Sequence, residues 1–303
     1  DLKAAAAALP ETQTDKGRAN AMAAKAYLAK VLLYQAYKQD QQNNVTSIDA
    51  NLLNQVNTLC DEVISSGKYS LGADFANNFL TQFENGTESV FAIQYSKDDG
   101  TPKGRIDEGH KLNYPMNAEY GCCGFHVPSN ELVNAFKTRA DGLPMFDTYN
   151  NVNVAATGDY QTNSFDPRLD HTVAKVGSPY KYKTDFLFQR SWARAPEVYG
   201  AFASQKEAVL YNDASFLKTP PFMSSAKNWA IIRYADVLLF KAEALIELNR
   251  AGEALPLINQ LRTRAANSTA LLKQQNGTPI SNYKINNYQP GVNCTWTQDF
   301  ARK

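Results

Sequence analysis

The segment over residues 228–266 constrains the fold of this 303-residue chain most strongly, because its apolar pattern predicts two consecutive helices. Small side chains on both helices allow them to pack closely, namely those of Ala235, Ala242, Ala244 and Ala254. The first stripe comprises Ile231, Ala235, Leu238, Ala242 and Leu245, and the second comprises Ala254, Ile258, Leu261 and Ala265. Two helices that cannot bury both faces against each other form the unit of a tetratricopeptide-type array.

Two carboxylates lie on one side of the first predicted helix. Asp236 and Glu243 are seven residues apart among apolar neighbours, so each needs a hydrogen-bonding partner. Arginines on the same hairpin are the predicted partners, and would lock it through charge-assisted hydrogen bonds. These arginines are Arg233, Arg262 and Arg264. The alternative, a general acid and base, is disfavoured because arginine partners are available.

A second helical hairpin is predicted near the N-terminus, from residues 17–38 and 52–66. The residues between the two hairpins are rich in Tyr, Asn, Gly, Pro and Asp, with strands predicted at 89–95 and 169–176 and a short helix at 130–137. The expected fold is mainly α, with a long loop-rich insertion. Its parts are a helical scaffold over 1–84, the insertion over 85–225, and the second hairpin with a C-terminal extension over 226–303.

Charge and cysteine usage restrict the function. The chain has 31 Lys and Arg against 30 Asp and Glu, so it has no field that would attract nucleic acid. Four cysteines lack metal-ligand spacing, and no cofactor motif is present. Cys60 adjoins an apolar stripe and is predicted to be a core residue. Cys122 and Cys123 are flanked by glycines, and two alternatives stay open for them: a disulfide between neighbours or two thiols.

The insertion carries the candidate binding residues. Carbohydrate recognition needs flat aromatic faces for the C–H side of a sugar ring and planar polar groups for its hydroxyls. Trp192 lies between Arg190 and Arg194 and is the first candidate for a stacking platform, followed by Tyr120 and Tyr149. The other candidates are Tyr114, Phe125, Tyr180 and Arg190. For any one of these aromatics, packing within the loops is the commoner role.

Several segments resemble a known family. Arg-Tyr-Ala-Asp-Val-Leu-Leu at 233–239, Ala-Glu-Ala at 242–244 and Ile-Asn-Gln-Leu-Arg-Thr-Arg-Ala at 258–265 resemble the hallmark segment of SusD/RagB outer-membrane nutrient-binding lipoproteins. Residues 16–34, 128–142 and 166–173 resemble its earlier segments, in the family's order. The resemblance implies a SusD-like α-α superhelix of tetratricopeptide-like hairpins. It also implies that the chain is a piece of a longer protein, incomplete at both ends. A signal peptide, a lipid-bearing Cys and further helices are expected before Asp1, and another helix and a closing segment after Lys303.

By resemblance, the expected function is non-catalytic binding of oligosaccharide or polysaccharide at the surface of a Gram-negative bacterium. The protein would be held at the outer membrane only by a lipid anchor in the absent N-terminal region. It would deliver glycan to a SusC-like TonB-dependent transporter. One alternative is a tetratricopeptide-type scaffold for peptide or protein, acting in peptide uptake. A less favoured one is a glycoside hydrolase, which needs two carboxylates about 5–10 Å apart facing one cleft.

Overall fold

Helices form most of residues 1–65 and 234–267 in the computed structural model, which describes residues 1–101, 104–154, 158–219 and 222–303. The helices are α1 (Leu2–Ala8), α2 (Ala21–Ala36), α3 (Ala50–Ser65), α4 (Asn130–Ala135), α5 (Arg168–Thr172), α6 (Pro196–Tyr199), α7 (Tyr234–Glu247), α8 (Ala251–Asn267) and α9 (Gln298–Arg302). Among the described residues, no helix is long and apolar enough to cross a membrane. The prediction of a mainly helical chain is confirmed.

The strands are short and pair locally. They are β1 (Tyr37–Gln39), β2 (Val45–Ile48), β3 (Ser89–Ile93), β4 (Lys137–Thr138), β5 (Ser164–Phe165), β6 (Val173–Lys175), β7 (Pro179–Tyr180), β8 (Lys183–Leu187), β9 (Phe202–Ser204), β10 (Phe216–Leu217), β11 (Ser224–Ser225), β12 (Trp229–Arg233) and β13 (Asn282–Tyr283). The two-stranded antiparallel pairs are β1–β2, β3–β12, β6–β9, β7–β8 and β10–β11, and β4 is also antiparallel to β5. A three-stranded sheet has the order β13–β5–β4, with β13 parallel to β5.

The two predicted hairpins form one continuous helical layer. Helix α2 packs on α3, α3 packs on α7, and α7 packs on α8. Their shared core consists of small and branched apolar side chains, among them Ala29, Leu53, Val56, Cys60 and Leu238. The side chain of Asn20 caps α2 at the amide of Ala23, and that of Asp49 caps α3. The insertion therefore leaves the helical array after α3 and returns to it at α7. The division of the chain into three parts stays a prediction.

The prediction that the C-terminal hairpin is helical from residue 228 is wrong. Trp229–Arg233 is the strand β12, which pairs with β3, so Ile231 belongs to a strand. Aromatic and β-branched side chains suit a strand that has a partner available. Helix α7 begins only at Tyr234, where the carboxylate of Asp236 accepts the backbone N–H of Arg233 at 2.8 Å.

The insertion also departs from its predicted elements. The strand predicted over 169–176 is a helix, α5, followed by the strand β6 (Val173–Lys175). The carboxylate of Asp166 accepts a hydrogen bond from the backbone N–H of Arg168 at 2.9 Å. This turn starts helix α5, so the extended strand begins only at Val173. The predicted strand near residue 89 and the short helix near residue 130 are confirmed.

The ion pairs of the hairpin centre on Glu88, which was not predicted. Its carboxylate is buried and lies 3.3 Å from a guanidinium nitrogen of Arg233 and 2.8 Å from one of Arg264. Arg233 also pairs with Asp236 at 3.4 Å, as expected. Two expected pairings are wrong. Arg262 donates to backbone carbonyls, those of Asn286 and Gly142, and Glu243 accepts from the hydroxyl of Tyr37. Glu243 is exposed, so it needs no buried arginine.

Lys206 supplies a test of the packing between the insertion and the 3-10 turn Phe75–Phe79. Its ammonium lies over the rings of Phe75 and Phe79, at 5.3 and 5.1 Å from their centroids. Burial, and then repulsion by Arg233, lowers the pKa of Lys206 from 10.5 to about 8. Below pH 8 both the folded and unfolded states keep the proton, so the full cost of burial is present. Between 8 and 10.5 the unfolded state binds more protons, so stability rises with pH.

We therefore expect Lys206→Met to raise the free energy of unfolding below pH 8 by roughly 1–3 kcal/mol, since one pKa unit corresponds to about 1.4 kcal/mol. The gain should shrink as the pH rises through the window between the two pKa values. Urea denaturation of both proteins, at one pH below the window and one within it, measures the difference. An identical difference at both pH values would contradict the assignment.

Candidate functional site

Two loops of the insertion meet at a mixed apolar and cationic surface. One loop contributes Leu112, Met116 and Phe125, which are 37%, 37% and 40% exposed. The other contributes Trp192 and Arg194, both partly buried. We call these five residues, with the adjoining Cys122–Cys123 pair, the Phe125 surface. It exposes more apolar side chain than an isolated surface residue would, which is typical of a binding surface.

Backbone hydrogen bonds fold the first loop onto itself and fix it to the second. The amide of Phe125 donates to the carbonyl of Leu112 at 2.8 Å, and that of Gly124 donates to Tyr114 at 2.9 Å. The amide of Met116 donates to the carbonyl of Trp192 at 2.8 Å. The positions of the exposed side chains are therefore set by the main chain of both loops.

Gly124 allows the close approach of the two loops. Its φ is +62°, and a Cβ at this position would lie 3.3 Å from the backbone nitrogen of Arg194 and 3.2 Å from its Cβ. Any other residue would meet both the backbone strain and this contact. The packing of the two loops therefore explains why the residue after the cysteine pair is a glycine.

Arg194 connects the cysteine pair to the exposed ring. Its guanidinium carbon lies 3.9 Å from the centroid of Phe125, a cation–π contact, and its Nη1 donates to the carbonyl of Cys123 at 2.9 Å. Cys122 and Cys123 are joined by a disulfide, across a cis peptide bond. Of the two alternatives for this pair, the structure thus has the disulfide. The remaining N–H groups of the guanidinium can donate to a ligand beside Phe125.

Three predicted ligand-binding tyrosines lie beneath this surface, in the core. Tyr114, Tyr120 and Tyr180 are 1%, 0% and 0% exposed, so none offers a ring face to a sugar. Their edges and faces pack against one another, with 5.3 Å between the centroids of Tyr114 and Tyr120. The hydroxyls of Tyr120 and Tyr180 donate to the backbone carbonyls of Val209 and Ser204. Burial also raises the pKa of Tyr114 to about 12. These tyrosines support the surface and do not belong to it.

Only part of the Trp192 ring is available as the stacking platform that the sequence predicts. Its ring packs at 4.8 Å from Phe186 and edge-on at 5.8 Å from Phe188, so the core occupies part of it. Arg190, two residues away, pairs with the exposed carboxylate of Glu197 at 2.6 Å. Of the predicted binding residues, Phe125 is therefore the one with the most available ring.

Tyr149 is not brought to this surface by any described contact. Its hydroxyl donates to Glu131, on α4, at 3.0 Å. Sequence analysis also missed two members of the surface, Leu112 and Met116, because single apolar residues in a polar loop carry no periodic signal. Arg194 could have been chosen from the sequence, because it lies two residues from Trp192. The two glycines that flank the cysteine pair are the sequence signal for a tightly folded loop.

The chemistry of this surface suits recognition of a neutral, hydroxyl-rich ligand. A half-exposed ring provides an apolar face, and a guanidinium held against it provides directed donors. Within the described ranges, no group of three or more His, Cys, Asp and Glu side chains could hold a metal ion.

Solved structures share this fold. A SusD-like protein from Bacteroides fragilis superposes with a TM-score of 0.60 at 24% identity, over 87% of this chain and 51% of that one. A SusD-like carbohydrate binding protein from the same species gives 0.64 at 19% identity, over 99% and 52%. A third structure, solved with a xylogluco-oligosaccharide, gives 0.62 at 22% identity, over 87% and 47%. The chain spans about half the length of these proteins.

Family membership rests on sequence. No curated protein matches the chain. The model of the SusD family, however, matches residues 87–299, which include most of the insertion, α7, α8 and the C-terminal segment. This match covers well over half of the chain, and it confirms the resemblance carried by the hairpin motif. The chain belongs to the SusD family.

Proposed function

We propose that this chain is part of a non-catalytic cell-surface protein that binds oligosaccharide or polysaccharide, with the Phe125 surface as its contact to sugar. The observation that carries the proposal is the pairing of the exposed Phe125 ring with the guanidinium of Arg194 at 3.9 Å. The ring would pack against the C–H face of a sugar, and Arg194 would donate to its hydroxyls.

A related structure supports the choice of ligand class. One solved relative was determined with a xylogluco-oligosaccharide, and another is described as carbohydrate binding. These ligands belong to those proteins, and they make xyloglucan fragments a rational first probe here. A glycan array on the full-length protein tests the proposal. Binding of at least one glycan supports it, whereas binding of extended peptides alone would favour the peptide-uptake alternative.

Delivery to a SusC-like TonB-dependent transporter, from a lipid-anchored position on the outer membrane, is part of the same proposal. Membership of the SusD family supports this part of the proposal. Affinity purification of the full-length protein from detergent-solubilised outer membranes should recover the transporter. Its recovery in the soluble fraction, without a membrane partner, would contradict both the location and the delivery role.

A glycoside hydrolase is the less favoured alternative. Two carboxylates, Glu84 and Glu88, line one cavity. The carboxylate oxygens of Glu88 are occupied by the guanidinium groups of Arg233 and Arg264, at 3.3 and 2.8 Å. Such a carboxylate is a poor general acid or base. Incubating any glycan found on the array with the protein, followed by product analysis, would reveal turnover if the alternative held.

Phe125→Ala is expected to weaken glycan binding by about 1–3 kcal/mol, roughly 5- to 150-fold in Kd, by analogy with aromatic stacking on bases. Isothermal titration calorimetry with the array ligand measures the change. Tyr34→Ala is the matched control, because Tyr34 is also an exposed aromatic, 73% exposed, but lies on α2. Equal affinities of the Phe125 variant and the control variant would contradict the assignment.

A further inference from the structure

A separate cavity of about 400 Å³ lies between the β3–β12 strand pair and the loop that precedes β3. Its lining comes from residues 72–92 and 227–233, so it shares no residue with the Phe125 surface. The volume falls in the usual range of small-molecule sites, about 300–1,000 Å³. The proposed glycan contact does not use it.

The loop that forms one wall of the cavity is fixed at several points. The amide of Phe75 donates to the hydroxyl of Ser268 at 2.8 Å, and the amide of Gly72 donates to Glu88 at 3.0 Å. The carboxylate of Asp74 caps the 3-10 turn Phe75–Phe79 at the amide of Ala76. The cavity is therefore bounded by main chain that is held in place, as a preformed site requires.

Its charged groups are largely neutralised by one another. Glu88 is paired with Arg233 and Arg264 and also accepts from the side chain of Asn78 at 3.1 Å. The buried ammonium of Lys227 donates to the backbone carbonyl of Lys206. A cationic ligand would meet Arg233 and Lys227, and an anionic ligand would meet Glu84. The lining therefore favours a neutral ligand.

Uncommitted polar groups remain beside these pairs. Oε1 of Glu84 accepts the backbone N–H of Asn228 at 2.7 Å, whereas Oε2 meets no hydrogen-bond donor among the described residues. The side-chain amides of Asn77 and Gln82 line the same cavity and likewise make no hydrogen bond within the described part of the chain. Burial raises the pKa of Glu84, which indicates that its carboxyl is partly withdrawn from water.

Aromatic surface completes the lining. Phe79 and Phe83 both contribute to the wall, and Phe83 is 44% exposed. Planar amides and a carboxylate for hydroxyl groups, together with aromatic carbon for C–H groups, form the combination that sugar binding requires. A cavity of about 400 Å³ is large enough for one or two sugar rings.

We propose that this cavity is a second ligand site, which binds a neutral mono- or disaccharide through Asn77, Gln82 and Glu84 against Phe79 and Phe83. It is separate from the Phe125 surface. A protein with both sites would bind a polymer or long oligosaccharide at the exposed surface and a short sugar in the cavity.

The test is isothermal titration calorimetry of the full-length protein with glucose, galactose, xylose and cellobiose. At least one of these sugars should bind with a Kd of about 1 mM or tighter. Asn77→Ala and Glu84→Gln should each weaken that binding by about tenfold or more, which corresponds to about 1.4 kcal/mol. Asn54→Ala is the control, because Asn54 is an exposed amide on α3 and should leave binding unchanged.

The outcomes separate this proposal from the glycan contact at Phe125. If the affinity for sugar is unchanged in Phe125→Ala but reduced in Asn77→Ala, the result supports a sugar site in the cavity. This holds whether or not the proposed function is correct. Sugar binding that falls in Phe125→Ala but survives Asn77→Ala and Glu84→Gln overturns it. Failure of all four sugars to bind also overturns it. If Glu84→Gln fails to fold, Asn77→Ala and Gln82→Ala decide the result, because neither amide makes a hydrogen bond within the described residues.

Discussion

Replacing Glu88 by Ala is expected to lower the free energy of unfolding by about 3–5 kcal/mol, the usual cost of removing one partner of a buried ion pair. Glu88 is 4% exposed and lies where β3 meets the helical layer. Its carboxylate accepts from Arg264 at 2.8 Å and from Arg233 at 3.3 Å. The variant would leave the guanidinium of Arg264, 8% exposed, without its carboxylate.

The same substitution also removes contacts to the main chain and to an amide. Oε2 of Glu88 accepts from the amide of Gly72 at 3.0 Å and from the side chain of Asn78 at 3.1 Å. The loop that precedes β3 should therefore loosen as well. Urea denaturation followed by circular dichroism measures the loss. Glu253→Ala is the matched control: Glu253 pairs with Arg250 at an exposed position, so its removal should lower the free energy of unfolding far less than removal of Glu88.

Asp170→Ala is expected to be destabilising to a similar extent, about 3–5 kcal/mol. Asp170 and Lys175 are each 1% exposed and form an ion pair between α5 and β6. The carboxylate also accepts from the hydroxyls of Ser281 at 2.6 Å and Tyr283 at 2.8 Å. It thereby joins the insertion to the segment that follows α8. Removing it would leave the buried Lys175 ammonium without a counter-charge.

A double variant makes this prediction sharper. Because removing both partners of a buried pair leaves no uncompensated charge, Asp170→Ala with Lys175→Met should be less destabilised than Asp170→Ala alone. Asp185→Ala serves as control, since Asp185 pairs with Lys183 at an exposed position. Denaturation of the single, double and control variants measures all three effects. A double variant that is less stable than the single variant would show that Lys175 is not held by Asp170.

The helical scaffold was predictable because its signals are local and repeated. The stripe from Ala235 to Leu245 and the helical spacing over α2 predict helices, and both helices are present in the structure. The beginning of α7 was not predictable from periodicity, since Ile231 and Ile232 fit a helix and a strand equally well. What decides their state is β3, more than a hundred residues earlier in the sequence.

The sequence predicts which types of residue form the candidate site, but it does not predict which individual residues are exposed there. Aromatic loops indicate a binding surface, yet composition does not separate a buried ring from an exposed one. Tyr120 is fully buried and Phe125 is 40% exposed, although they are five residues apart in one loop. Of the predicted carboxylate pairings, that of Arg233 with Asp236 is present, whereas those of Glu243, Arg262 and Arg264 are wrong because long-range contacts decide them. Glu88 lies far from the hairpin in sequence, and its pairing with Arg264 depends on long-range packing.

We propose that sugar contacts this protein at the Phe125 surface. The most direct measurement is a crystal structure of the full-length protein with the glycan that binds best on the array. We expect a sugar ring against the face of Phe125 and a hydroxyl oxygen within hydrogen-bonding distance of the Arg194 guanidinium, about 2.7–3.2 Å. A glycan bound elsewhere, with Phe125 and Arg194 unchanged and in contact only with solvent, would contradict the account.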